Sequence, residues 1–147
     1  MVKQMYGKRI GHGAIHEAGH AVVAKKQGKL RVTKVHYTGP EGFCSWENVK
    51  TQEARYALLC AHLAGIAAEE MFAPGEWTRF ECQNDLDMIE YLLSLFDDPD
   101  FAESHKRKAR EEVDRILREN KRQVLAIASA LMETDDIAGD DLEKLFV

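Results

Sequence analysis

The chain is 147 residues long, with 45% hydrophobic and 31% charged side chains: enough apolar material for one globular core, and too much for a disordered tail or a fibrous repeat. Lys plus Arg number 20 against 25 for Asp plus Glu, and the formal net charge of −5 argues against nucleic acid as a partner, since a phosphate backbone needs the opposite sign. No window approaches the roughly 18 to 20 uninterrupted apolar residues of a membrane helix, and Met1 to Arg9 lacks the apolar run of a secretory signal. A soluble, cytoplasmic chain with no membrane insertion is therefore expected.

No repeat, low-complexity tract or Pro- or Ser-rich linker divides the sequence, so a single domain over 1–147 is expected. The first helix is predicted from Gly13 to Gln27, carrying Ala14, Ile15, Ala18, Ala21, Val22 and Ala24, with Gly28 as its C-cap. Leu30 to Tyr37, rich in β-branched and aromatic residues, reads as a strand ending in the turn Gly39-Pro40-Glu41-Gly42, and Phe43 to Val49 as a returning strand. Thr51 is placed to cap a helix that runs to Phe72, where Pro74-Gly75 stops it. Asn84 is placed to cap the next, which runs to Phe96.

Beyond Asp97-Asp98-Pro99, Asp100 and Glu103 form a capping-box pattern for one long helix reaching Met132. Its charged run from Lys106 to Arg122 reads as a solvated face, with Glu112–Arg115 and Glu119–Arg122 spaced to pair. Asp140 and Glu143 repeat the capping pattern for a short terminal helix. The expected class is mainly α with a small β element. The three cysteines, Cys44, Cys60 and Cys82, have neither Cys-x-x-Cys spacing nor an even count, and read as reduced, partly buried thiols.

Chemistry concentrates in His16-Glu17-Ala18-Gly19-His20, a His-Glu-x-x-His pattern inside the first predicted helix. Histidines four apart share one helical face and can hold one zinc ion, while Glu17 projects beside the remaining coordination position and can take a proton from water. The competing reading makes both histidines packing residues. It leaves Gly19 unexplained, since glycine inside a helix costs about 1 kcal/mol relative to alanine; a segment packed closely against the helix would explain it.

A catalytic zinc site takes three protein ligands and leaves the fourth position to water, so one more donor is required. His12 continues the spacing backwards, but three histidines in line cannot close around a tetrahedral ion. Glu69, Glu70 and Asp85 all lie on or near later helices, and spacing alone does not separate them.

His16-Glu17-Ala18-Gly19-His20-Ala21 resembles the zinc-binding segment of the peptidase domain of FtsH-type AAA proteases. Leu63-Ala64-Gly65-Ile66-Ala67-Ala68-Glu69-Glu70 is similar to the family's Gly-rich Ala-Ala-Glu segment, and Asn84-Asp85-Leu86 to the segment supplying its aspartate ligand. Val124 to Leu145 resembles its closing helices. The resemblance implies a zincin-like helical peptidase domain with Zn2+ as cofactor, His16, His20 and Asp85 as metal ligands and Glu17 as general base. It also makes Glu69 a hydrogen-bonding partner near the site.

The sequence departs from the family in having Ala64 and Ile66 where Gly and a basic or polar residue are common. It also contains no Gly-x-x-x-x-Gly-Lys-Ser/Thr nucleotide loop. The implied activity is ATP-independent hydrolysis of unfolded or flexible polypeptides, with a homo-oligomer or a separate partner that delivers substrate as the expected associations. Substrate is expected along the edge of the Leu30 to Tyr37 strand, with His36 and Tyr37 as candidate oxyanion donors. The alternative is a non-catalytic or regulatory binding module that retains the fold.

Overall fold

The structure is a computed structural model that describes residues 11–47, 52–73 and 79–146. The expected termination at Pro74-Gly75, the Thr51 cap, the end of the second strand at Val49 and the Met1 to Arg9 start lie outside the described residues.

Helix α1, His12–Gln27, is the axis of the molecule: every residue from Gly13 to Ala24 is buried, so the helix is covered on all sides. Its small side chains let neighbours approach. It ends as expected at Gly28, whose left-handed φ of 70° lets its N–H bond back to the Ala24 carbonyl at 3.3 Å. Lys25 and Lys26 complement the helix dipole in the last turn, and Lys25 also pairs with Glu143 near the C-terminus.

Strands β1 (Val32–Tyr37) and β2 (Gly42–Trp46) form the expected antiparallel pair. A third strand, β3 (Asp136–Ala138), adds to the other side of β1 and sets Ile137 opposite Val35, giving the order β2-β1-β3. This corrects one expectation. The Leu30 to Tyr37 strand is the middle strand, bonded on both sides from Lys34 to His36, and has no free edge there for substrate. The edge on the α1 side of the chemistry belongs to β2, whose Trp46 meets His20.

Helix α2 (Gln52–Phe72) packs along α1 through alanines and glycine. Helix α3 spans Arg79–Ser94, which places Asn84 and Asp85 inside it rather than at its head. Asn84 caps nothing, because the helix is already running when it arrives. The long helix expected from Asp100 to Met132 is two: α4 (Pro99–Glu119) and α5 (Lys121–Glu133). At Asn120 the backbone leaves helical geometry (φ −122°, ψ 27°), and the Asn120 side-chain amide donates to the Ile116 carbonyl at 2.8 Å.

The cap of α4 is Asp98, which accepts from the Asp100 N–H at 2.9 Å with Pro99 in the first turn, so the Asp100/Glu103 box is not formed. Helix α6 (Gly139–Glu143) likewise starts at Ala138 without a side-chain cap, and a 3-10 turn, Lys144–Phe146, follows. The charged run of α4 is a solvated face, where Arg115 pairs with Glu119 at 3.1 Å instead of Glu119 with Arg122. Such exposed pairs are worth 1 kcal/mol or less. Truncating a buried Leu117, Ile127 or Leu131 would cost about 2–5 kcal/mol, so the apolar faces of α4 and α5 hold them in place.

Candidate metal centre

One turn of α1 carries His16, Glu17 and His20, all buried, with 0%, 2% and 4% of their surfaces exposed. Their apposition to α2 depends on Gly19, where a Cβ would meet Ala68 Cβ at 2.6 Å and the Ala64 carbonyl oxygen at 2.7 Å. The close approach expected from this glycine is present. Helix α3 then brings in Asp85, itself buried.

His16 Nδ1 donates to Glu69 Oε2 at 2.8 Å, and His20 Nδ1 donates to the Ala61 carbonyl at 2.6 Å. Both rings therefore turn Nε2 towards the same atom: Asp85 Oδ2 lies 2.7 Å from His16 Nε2 and 3.0 Å from His20 Nε2. With the Nδ1 protons committed, two imidazole lone pairs face a carboxylate oxygen, and that convergence is favourable only with positive charge among them. A proton on His16 or a bound cation supplies it. Burial alone would lower the His16 pKa, but Asp85, Cys82 and Glu69 as hydrogen-bond partners, with Glu17 nearby, override burial and push it up to about 12. Burial likewise opposes the Asp85 charge, and His20, His16 and His62 overcome it, holding this carboxyl far below the ordinary range.

Three carboxylates, Glu17, Glu69 and Asp85, are thus buried around two imidazoles, an excess of negative charge that suits a cation. His16, His20 and Asp85 offer donor atoms that all lie within 4.8 Å of one another, so the group can hold a metal ion. His16, Glu69 and Cys82 form a second such group on the other side of the His16 ring. Glu17 Oε1 is 3.9 Å from His20 Nε2, beside the first group.

The residues singled out from the sequence sort cleanly. His12, the first residue of α1 rather than a residue ahead of it, joins neither group among the described residues. Glu70 is on the surface, paired with Arg110 at 2.6 Å. His36 pairs with Asp136 at 2.7 Å and stacks on Phe43, and Tyr37 packs on Gly13, so both are engaged away from the convergent donors.

Three contributors were not anticipated. Cys82 lies 3.4 Å from Glu69 Oε2, His62 Nδ1 lies 2.8 Å from Asp85 Oδ1, and Trp46 sits edge-on to His62 with ring centres 5.2 Å apart. Helical spacing held the signal for two of them: Cys82 is three residues before Asp85, and His62, Gly65 and Glu69 share one stripe of α2. All three cysteines are free thiols, and burial raises the pKa of Cys82 against the opposing pull of His16.

No family model and no curated protein matches the chain. Among the described residues no helix is long and apolar enough to cross a membrane. The fold and site define a mainly helical α+β chain with a buried His/Asp/Glu group able to hold a metal ion.

Proposed function

We propose that this chain is a zinc-dependent endopeptidase, zincin-like in its site and similar to the peptidase domain of FtsH-type proteases. One observation carries the reading: His16 and His20 aim both Nε2 atoms at Asp85 Oδ2, with a buried Glu17 alongside. A purely structural site would gain nothing from that glutamate, and structural zinc commonly takes four protein ligands, often cysteines.

His16, His20 and Asp85 would hold the ion, and Glu69 and the Ala61 carbonyl fix the two rings by accepting their Nδ1 protons. When bound, zinc supplies Lewis-acid polarisation of a peptide carbonyl and lowers the pKa of water towards about 7. Glu17 then acts as the base: its carboxylate accepts a proton from the attacking water and later delivers it to the leaving amine nitrogen. The burial of Glu17 keeps bulk water from competing for that proton.

Substrate lies extended along β2, because backbone pairing on an edge strand holds a polypeptide regardless of its sequence. Loose specificity for unfolded or flexible chains follows.

The test is metal analysis of the purified protein together with cleavage of unfolded casein. About one zinc per chain is expected, and Asp85→Ala should strip metal and activity far more than Glu69→Ala. Loss of metal in Glu69→Ala with retention in Asp85→Ala would refute the ligand assignment.

A further inference from the structure

Asp85 uses its two oxygens differently. Oδ2 faces the two Nε2 atoms, whereas Oδ1 lies 2.8 Å from Nδ1 of His62, a half-buried histidine on α2. The carboxylate has no proton to give, so the His62 Nδ1–H is the donor. An Asp85 with both oxygens free could chelate a cation through both and fill two coordination positions. With Oδ1 held by His62, only Oδ2 is presented.

We propose that His62 is a positioning residue that fixes Asp85 as a one-oxygen metal ligand and so keeps a coordination position open for water and substrate. This rests on the metal-site reading and adds to it a residue that touches no reacting atom.

Three observations support the assignment. His62 belongs to neither group of convergent donors among the described residues, and its ring centre is 6.3 Å from that of His20, so it stands behind Asp85 rather than among the convergent donor atoms. Trp46 of β2 packs edge-on against His62 and fixes the plane of its ring, which aims Nδ1–H at Oδ1. The third is a pattern along α2, which provides one hydrogen-bond partner for each of the three donor residues: the Ala61 carbonyl for His20, His62 for Asp85 and Glu69 for His16. Gly65, between them on the same stripe, leaves the rings their space. A single helix face thus orients a donor set drawn from α1 and α3. The imidazole is needed there as a hydrogen-bond donor, and a different donor of the same reach should serve.

Zn2+ affinity, measured by competition with a chromophoric chelator, tests this in the wild-type chain, His62→Ala and His62→Asn. The Asn amide N–H2 takes the place of Nδ1–H, whereas Ala offers nothing. His62→Ala should bind zinc about 10- to 100-fold more weakly, the usual effect of losing a hydrogen-bond partner of a metal ligand, and His62→Asn should recover most of that loss. The visible spectrum of the Co2+-loaded protein should be alike in wild type and His62→Asn, because the ligand atoms are the same.

Thermal unfolding of the metal-free forms identifies any variant that has failed to fold, and His62→Asn carries the test if His62→Ala does so. Equal zinc affinity in all three proteins would overturn the inference while leaving the metal site standing. A changed Co2+ spectrum in His62→Asn, together with affinity as low as in His62→Ala, would overturn it by making His62 a ligand itself. A wild-type chain that binds no zinc would overturn the metal reading from which it starts.

Discussion

A methyl group on Gly65 would lie 2.5 Å from His16 Nε2 and 2.6 Å from His20 Nε2, the atoms that face Asp85. What would yield is the far end of two side chains, not backbone. Gly65→Ala should therefore push the imidazoles out of register and weaken zinc binding by at least ~10-fold, a loss of the size seen when ligand orientation is disturbed. The fold should survive, since alanine gains about 1 kcal/mol of helix propensity over glycine. Gly19→Ala is the contrasting case, because its Cβ would meet the Ala64 carbonyl and Ala68 Cβ, and neither can move without separating α1 from α2. A destabilisation of about 1–3 kcal/mol is expected there. Chelator competition and urea unfolding, run on both variants, separate the two effects; a Gly65→Ala chain that binds zinc as tightly as wild type would contradict the geometry.

Among the elements, β2 makes the sharpest functional claim. It is one of the two outer strands of the sheet, and the one that carries Trp46 against His20 and His62, so an extended substrate paired to it would pass the candidate metal centre. Peptides N-methylated on the amides flanking the scissile bond should be cut at least ~10-fold more slowly, whereas replacing their side chains with alanine should matter less. Equal rates for methylated and unmethylated peptides would remove β2 from substrate binding.

The sequence showed some elements plainly and hid others for physical reasons. Helix α1 was readable because Gly28 marks its end and its motif spacing fits one face, and the antiparallel pair was readable from β-branched residues around Gly39-Pro40-Glu41-Gly42. The break at Asn120 was not, because the residues on either side keep helical periodicity and only the bond from the Asn120 side chain to the Ile116 carbonyl marks it. Strand β3 is three residues long and owes its existence to pairing with β1, which no local pattern announces. In the candidate site, motif and resemblance single out His16, Glu17, His20 and Asp85, and the structure brings these four together. His62 shares the α2 stripe of Gly65 and Glu69, but that spacing alone gives it no role: a lone histidine on a predicted helix acquires one only when α3 delivers Asp85 to it.

For the molecule as a whole, the charge trapped around His16 ties stability to pH. Its pKa in the folded, metal-free chain is raised from 6.5 to about 12, burial being overridden by Asp85 and the other acidic partners, so above pH 6.5 the folded state holds a proton that the unfolded state has lost. The stabilisation is complete below 6.5 and disappears as pH rises towards 12, at no more than about 1.4 kcal/mol per pH unit for one proton. Between about pH 7 and 8.5, below the range in which ordinary thiols ionise, metal-free protein should lose stability with rising pH. Zinc uptake at about pH 8 should release about one proton, detectable with an indicator dye in weak buffer. A metal-free chain that grows more stable over that interval would mean that His16 is neutral there.

The proposed hydrolysis by the buried group and a binding module that merely retains a metal differ in what Glu17 does. Cleavage of an unfolded polypeptide by the zinc-loaded chain and by zinc-loaded Glu17→Gln, which keeps the shape of the side chain and removes the base, separates the two. The two proteins should hold equal zinc, and the variant should cut at least ~100-fold more slowly, the low end of what a positioned general base contributes. Equal cleavage by both would contradict the role of Glu17, and a fully zinc-loaded wild type that cuts neither unfolded protein nor a broad peptide set would contradict the enzyme itself.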